Sequence, residues 1–209
     1  MPIYRNLIWD FDGTLYNTYP QVAAAMVAAL ADFGHPIDSA EAYRLVKVTV
    51  FHAITVYAER FGLSSAELLA AFQAHHAKET HFPMMPGLRE CLAETKRMGC
   101  HHYLFTHRDR KAIEQLADDG LVPFFEDAVT RESGFADKPS SEAIEHLIRV
   151  HGFRARDTLM IGDRDIDIQS GQAAGAAGVL FDPDGFYPGL KVDFSIRSLS
   201  DIPLLVCQA

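Results

Sequence analysis

Six short apolar runs set the strongest constraint on what this chain can fold into: Ile3–Trp9, Tyr103–Phe105, Ala128–Thr130, Leu159–Ile161, Val179–Phe181 and, more weakly, Phe194–Ile196. None alternates apolar with polar residues, so each reads as a strand covered on both faces. Helical periods lie between them: Leu88, Cys91, Leu92 and Thr95; Ile113, Leu116 and Ala117; Ile144, Leu147, Ile148 and His151. Each set occupies one face of a helix, and Gly99, Gly120 and Gly152 stand where a left-handed residue would close it. Strand then helix, repeated, predicts an α/β fold built on a doubly wound parallel, Rossmann-like sheet.

The stretch from Tyr16 to about Pro83 breaks the rhythm. It carries helical periods at Val22, Met26, Leu30 and Phe33, at Ile54, Tyr57, Ala58 and Phe61, and at Leu68, Leu69 and Phe72, with no convincing buried strand. Ser64 and Glu67 have the spacing of a capping box before the last of these. The expected organisation is a core of residues 1–15 and 84–209 with a small all-helical cap, 16–83, inserted directly after the first strand.

Composition removes several classes of function. With 19 Lys and Arg against 28 Asp and Glu the net charge is −9, which disfavours nucleic acid and anionic membrane surfaces as partners. Cys91, Cys100 and Cys207 form no C-x-x-C pair and read as reduced thiols of a cytoplasmic protein. The longest apolar run, Val22 to Ala31, is too short to span a bilayer. His75, His76 and His81 lack the spacing of a zinc helix site, and no Walker loop, Gly-x-Ser-x-Gly or His-Glu-x-x-His occurs.

Ligands of open parallel sheets bind beyond the carboxyl ends of the strands. Four such places carry polar groups: Asp10-Phe11-Asp12-Gly13-Thr14-Leu15, Thr106-His107-Arg108-Asp109, Lys138-Pro139, and Gly162-Asp163-Arg164-Asp165-Ile166-Asp167. Asp10, Asp12, Asp163, Asp165 and Asp167 crowd carboxylates that would raise one another's pKa unless a cation neutralised them. Hard oxygen donors without Cys or His suit Mg²⁺ together with a substrate phosphate. Two carboxylates one residue apart supply a nucleophile and a separate acid, Gly13 allows a sharp turn close to the ligand, and Thr106 and Lys138 supply a hydrogen bond and a positive charge for a transferring phosphoryl group.

This set resembles the haloacid dehalogenase superfamily, in particular its phosphoglycolate phosphatase-like branch, with Asp167-Ile168-x-x-Gly171-x-x-Ala174-Gly175 extending the last motif. The resemblance implies an enzyme, a Mg²⁺-dependent phosphatase acting on a small phosphorylated metabolite, with a helical cap after the first motif. It makes Asp10 the nucleophile that becomes an aspartyl phosphate and Asp12 the acid and base. Mg²⁺ would be held by the Asp10 carboxylate, the Asp12 backbone carbonyl and Asp163, with Asp167 as a ligand or directly behind one. A phosphosugar mutase and a non-catalytic phospho-ligand sensor are the alternative readings.

The chain departs from the usual pattern in three places. His107 and Arg108 follow Thr106 where Asn or Gly is frequent, Asp165 adds a carboxylate that competes with Asp167 for the metal role, and Tyr16-Asn17-Thr18 replaces the usual Asp-Ser. His107 and Arg108 from the core and Lys47, with His52, from the cap are the candidates for touching substrate.

Overall fold

The computed structural model describes residues 4–78 and 81–206; Ile3 and Cys207 lie outside them. Among the described residues the core holds six parallel strands, β1 (Asn6–Trp9), β2 (His101–Phe105), β3 (Phe125–Val129), β4 (Thr158–Gly162), β5 (Ala177–Phe181) and β6 (Phe194–Ile196), in the order β3-β2-β1-β4-β5-β6. The doubly wound α/β reading therefore holds. Strands β2 and β4 begin slightly earlier than their apolar runs because they open on polar residues, His101 and Thr158, whereas β1 begins at Asn6, inside the expected run. At the edge, β3 begins with the part-exposed Phe125-Glu126-Asp127, whereas β4, between two neighbours, is buried throughout.

Both faces of the sheet are covered, which explains why the runs do not alternate. Ile8, Tyr103, Phe105, Val129 and Met160 form one face and pack with Ala143, Ile144 and Leu147 of α7 (Glu142–His151). On the other, Trp9 and His102 meet Thr95 of α5 (Leu88–Arg97): Trp9 Nε1 donates to His102 Nδ1 at 3.0 Å, and Thr95 Oγ1 lies 3.2 Å from His102 Nε2. Leu7, Ile8 and Trp9 are wholly buried, a burial of roughly 1.5–3 kcal/mol for each aliphatic side chain. The remaining core helices are α6 (Lys111–Asp118), α8 (Asp165–Ala173) and α9 (Ile202–Val206). A Cβ on Gly171 of α8 would stand 2.5 Å from Met160 Cβ, so glycine is what lets α8 lie close on β4.

The chain divides into two compact units, Met1–Tyr16 with Met84–Ala209, and Asn17–Pro83. Among its described residues the second contains helices and no strand: α1 (Tyr19–Asp32), α2 (Ser39–Val48), α3 (Val50–Phe61) and α4 (Ser65–His76). The sequence periods mark α1, α3 and α4; α2 is the helix they miss. It presents only Ala42, Val46 and Lys47 as buried positions, too sparse a stripe to read. Its signal is at the ends, where Asp38 Oδ1 accepts the N–H groups of Ala40 and Glu41, and Thr49 both stops α2 and caps α3 by accepting from His52 N–H. Ser64 Oγ accepts the Glu67 N–H at 3.4 Å at the start of α4, as the capping spacing predicts. Among the described residues no helix is long and apolar enough to cross a membrane.

Candidate active site

The strand order reverses direction at β1, the first strand of the chain, which lies between β2 and β4. A crevice forms beyond the carboxyl ends of strands at such a switch. Asp10 follows β1, Thr106 follows β2 and Asp163 follows β4 without an intervening residue. Asp10 is tied to β4 by its own N–H, which donates to Ile161 O at 2.9 Å.

At the bottom of this crevice is a buried chain of charges. Lys138 Nζ lies 2.6 Å from Asp10 Oδ1 and 2.7 Å from Asp167 Oδ1, and above the Phe105 ring at 4.6 Å. The lysine side chain is 0% exposed, and the two carboxylates 4% and 0%. Asp10, Asp163 and Asp167 each offer an oxygen within 4.8 Å of the others. Burial, with the Asp167 charge adding to it, raises the Asp10 pKa to about 6 against the pull of Lys138. Burial opposes the Lys138 charge, but the two aspartates outweigh it and raise its pKa. Asp10 Oδ2 accepts no hydrogen bond. Three sheltered carboxylates, all hard oxygen donors, against one ammonium fit a divalent cation.

Local backbone features set these side chains in place. Asp167 stands in the first turn of α8 and folds back, its Oδ2 accepting the Arg164 N–H at 3.1 Å. Gly162 makes the space: a Cβ there would fall 2.3 Å from Asp167 Cβ. Asp165, on the same turn, instead accepts from Ile166 N–H and Gln169 Nε2 and stands outside the three-carboxylate group. Gly13 has the left-handed φ of 75° that its turn requires, and its N–H donates to Tyr16 O at 2.7 Å.

Asp12 occupies a different setting, with a side chain 26% exposed beside an Arg108 side chain 22% exposed. Arg108 Nε lies 2.9 Å from both Asp12 oxygens, and Nη2 lies 2.7 Å from Oδ1. Thr106 is buried, and its Oγ1 accepts the Arg108 N–H at 3.1 Å. His107 Nε2 accepts the Lys138 N–H at 2.9 Å, and burial together with the Lys138 charge lowers its pKa. Lys47 and His52 belong to the helical unit, where Lys47 Nζ lies 5.5 Å from the Tyr19 ring centroid. Tyr187 is a neighbour that sequence reasoning missed. It sits in the loop after β5, pinned where Asp182 accepts the Phe186 and Tyr187 N–H groups; burial raises its phenol pKa, and Asp163 and Asp165 push it further up. The clue was positional, since Asp182 follows a strand end just as Asp10 and Asp163 do.

The family model described as haloacid dehalogenase-like hydrolase matches residues 7–181, a span that holds Asp10, Asp12, Thr106, Arg108, Lys138, Asp163 and Asp167. The chain belongs to that family. It is 30% identical over 181 residues to a phosphoglycolate phosphatase of Pseudomonas syringae pv. syringae, a match that takes in 82% of the chain and 66% of that relative's length. A phosphoglycolate phosphatase of Thiobacillus denitrificans is 29% identical over 226 residues, covering 100% of the chain and 98% of the relative. Among solved structures, a hydrolase from Streptococcus pneumoniae TIGR4 superposes with a TM-score of 0.69 at 33% identity, covering 86% of this chain and 93% of that one.

Proposed function

We propose that this haloacid dehalogenase-like hydrolase is a Mg²⁺-dependent phosphatase of small phosphomonoesters, working through an aspartyl phosphate on Asp10. The buried Asp10–Lys138–Asp167 chain beside Asp163 carries the reading: a carboxylate, a fixed cation and a candidate metal group meet at the carboxyl edge of the sheet. The Asp10 carboxylate, the Asp12 backbone carbonyl, Asp163 and Asp167 would hold the ion, which supplies positive charge for the phosphoryl oxygens.

The chain's own groups do the rest. Lys138 holds Asp10 Oδ1, so Oδ2, which accepts no hydrogen bond, is the oxygen assigned to attack phosphorus. The new bond joins Asp10 to phosphorus as the bond to the leaving oxygen breaks, and Asp12 gives that oxygen its proton. Asp12 then takes a proton from water, which attacks phosphorus, releases phosphate and restores Asp10. Thr106 and the turn at Gly13 border the phosphoryl group, and Lys138 offsets its charge. The helical unit is assigned to reading the rest of the ester, because it leaves the core directly after this first loop; Lys47 and His52 are its candidate contacts.

The test is phosphate release from a panel of phosphorylated metabolites, with Mg²⁺ and with chelator. The names of the bacterial relatives put 2-phosphoglycolate first in that panel. Release that depends on the metal is the expected result. Absence of release from every ester with Mg²⁺ present would reject the phosphatase reading.

A further inference from the structure

The Asp12–Arg108 pair lies at the half-buried rim, where water still reaches both side chains and an ion pair adds less to stability than a fully buried one. Its construction is nevertheless specific. The Arg108 backbone is fixed on both sides, by its N–H to Thr106 Oγ1 and by its carbonyl, which accepts the Arg131 N–H at 2.9 Å. The guanidinium rests over the Phe11 ring at 5.3 Å, and Phe11 is itself stacked on Tyr16 at 4.5 Å between centroids. With the backbone and the platform both held, rotation of the side chain is the movement left to this residue.

The planar fork is matched to a carboxylate, and a carboxylate is what it holds now. Two neighbouring basic side chains are otherwise engaged: Lys138 is buried between Asp10 and Asp167, and His107 Nε2 accepts the Lys138 N–H. While the fork grips both oxygens of Asp12 it competes with any leaving oxygen for that carboxylate. We propose that Arg108 selects esters whose leaving group bears a carboxylate, by passing its fork from Asp12 to the substrate. The substrate carboxylate then acts twice, anchoring the leaving group and releasing Asp12 to face the leaving oxygen. This specificity role rests on the phosphatase reading above.

The experiment compares two esters of nearly equal size, 2-phosphoglycolate and 2-hydroxyethyl phosphate, which differ by a carboxylate against a hydroxymethyl group. Wild type should favour 2-phosphoglycolate, and Arg108→Gln should shrink the ratio of the two kcat/KM values by about tenfold to a hundredfold, the range for a hydrogen bond to a charged group. Arg108→Lys, which keeps the charge without the fork, should fall between. A ratio unchanged by Arg108→Gln, whether both esters slow or neither does, would overturn the proposal, as would a wild-type preference for the neutral ester. Calorimetric binding of both esters to Asp10→Asn, with and without Arg108→Gln, reads the same ratio without turnover. The phosphatase reading falls separately, only if wild type releases phosphate from no ester of the whole panel, whereas a binding ratio unaffected by Arg108→Gln rejects the role of Arg108.

Discussion

Asp10 and Asp12 lie two positions apart on one loop and live in opposite surroundings. Asp10 is sunk beside an ammonium that is 0% exposed, whereas Asp12 and its guanidinium partner keep about a quarter of their side chains in water. Burial raises the cost of leaving a charge unpaired, so the lower pair is bound to its geometry. At the rim, water stands ready to replace either partner, so the pairing can be exchanged. One strand end thus supplies a fixed group and a movable one, which is what a nucleophile and an acid–base group with a selectable partner require.

The largest effect that would break this contrast is expected at the bottom of the crevice. Lys138→Met leaves Asp10 and Asp167 facing each other without a cation and should destabilise the metal-free protein by about 3–5 kcal/mol, the cost of breaking a buried pair. Asp10→Asn should stay folded and lose turnover altogether, since an amide cannot form the acyl phosphate. Denaturant midpoints and phosphate release measure the two. A Lys138→Met protein as stable as wild type would mean that the lower pair is no more binding than the upper one.

Metal is the next test, because a cation should relieve the carboxylates at the bottom and leave the rim alone. Mg²⁺ at about 100 times its dissociation constant adds roughly 2.7 kcal/mol to the native state and should raise the melting temperature by about 5–10 °C over chelator. Asp163→Asn should shrink that shift, and Arg108→Gln should preserve it. Identical melts of wild type in both conditions would remove the cation from the group formed by Asp10, Asp163 and Asp167.

His102 shows what burial does where no reaction is involved. Its imidazole is wholly buried between Trp9 and Thr95, and burial lowers its pKa to about 3 from 6.5. The unfolded chain takes up a proton that the folded protein refuses, so the stabilisation is complete above about pH 6.5 and is lost as pH falls toward 3. Between pH 7 and pH 5 the loss is roughly 2 kcal/mol for this one group. Urea titrations at the two pH values should show it, and His102→Gln should lose less over the same interval. Equal losses in both proteins would mean that the imidazole is reached by water.

What was legible in the sequence follows the same division between buried and exposed. Strands covered on both faces announce themselves as unbroken apolar runs, so Leu159–Ile161 marked β4, while the part-exposed edge residues Phe125 and Glu126 were left out of β3. Periodicity revealed α1, with its dense row of Val22, Met26 and Leu30, and missed α2, whose sparse buried stripe is bounded by the polar caps Asp38 and Thr49. The spacing of Asp10, Thr106, Lys138 and Asp163 to strand ends was readable because strand ends are where a parallel sheet exposes its chemistry. The Arg108 fork on Asp12 was not, since it joins loops far apart in sequence and depends on rotamers that no local pattern encodes. Tyr187 escaped for a related reason: its loop is pinned by Asp182, a carboxylate used to turn the backbone.

The smallest effect, and the one that sharpens the comparison most, is the contribution of the rim pair to folding. A double-mutant cycle of Asp12→Asn and Arg108→Gln, read from denaturant midpoints in chelator, should give a coupling below about 1 kcal/mol, as for other solvent-accessible ion pairs. The fork geometry favours the upper part of that range, and water contact at both side chains keeps it from going higher. A weak coupling is what exchange demands, because a substrate carboxylate must replace Asp12 using its own hydrogen bonds to the same guanidinium. A coupling above about 2 kcal/mol would place the rim pair with the buried one. Moving the fork to an ester would then be strongly uphill, and Arg108 would be a fixed brace for Asp12 whose removal should slow carboxylated and neutral esters alike.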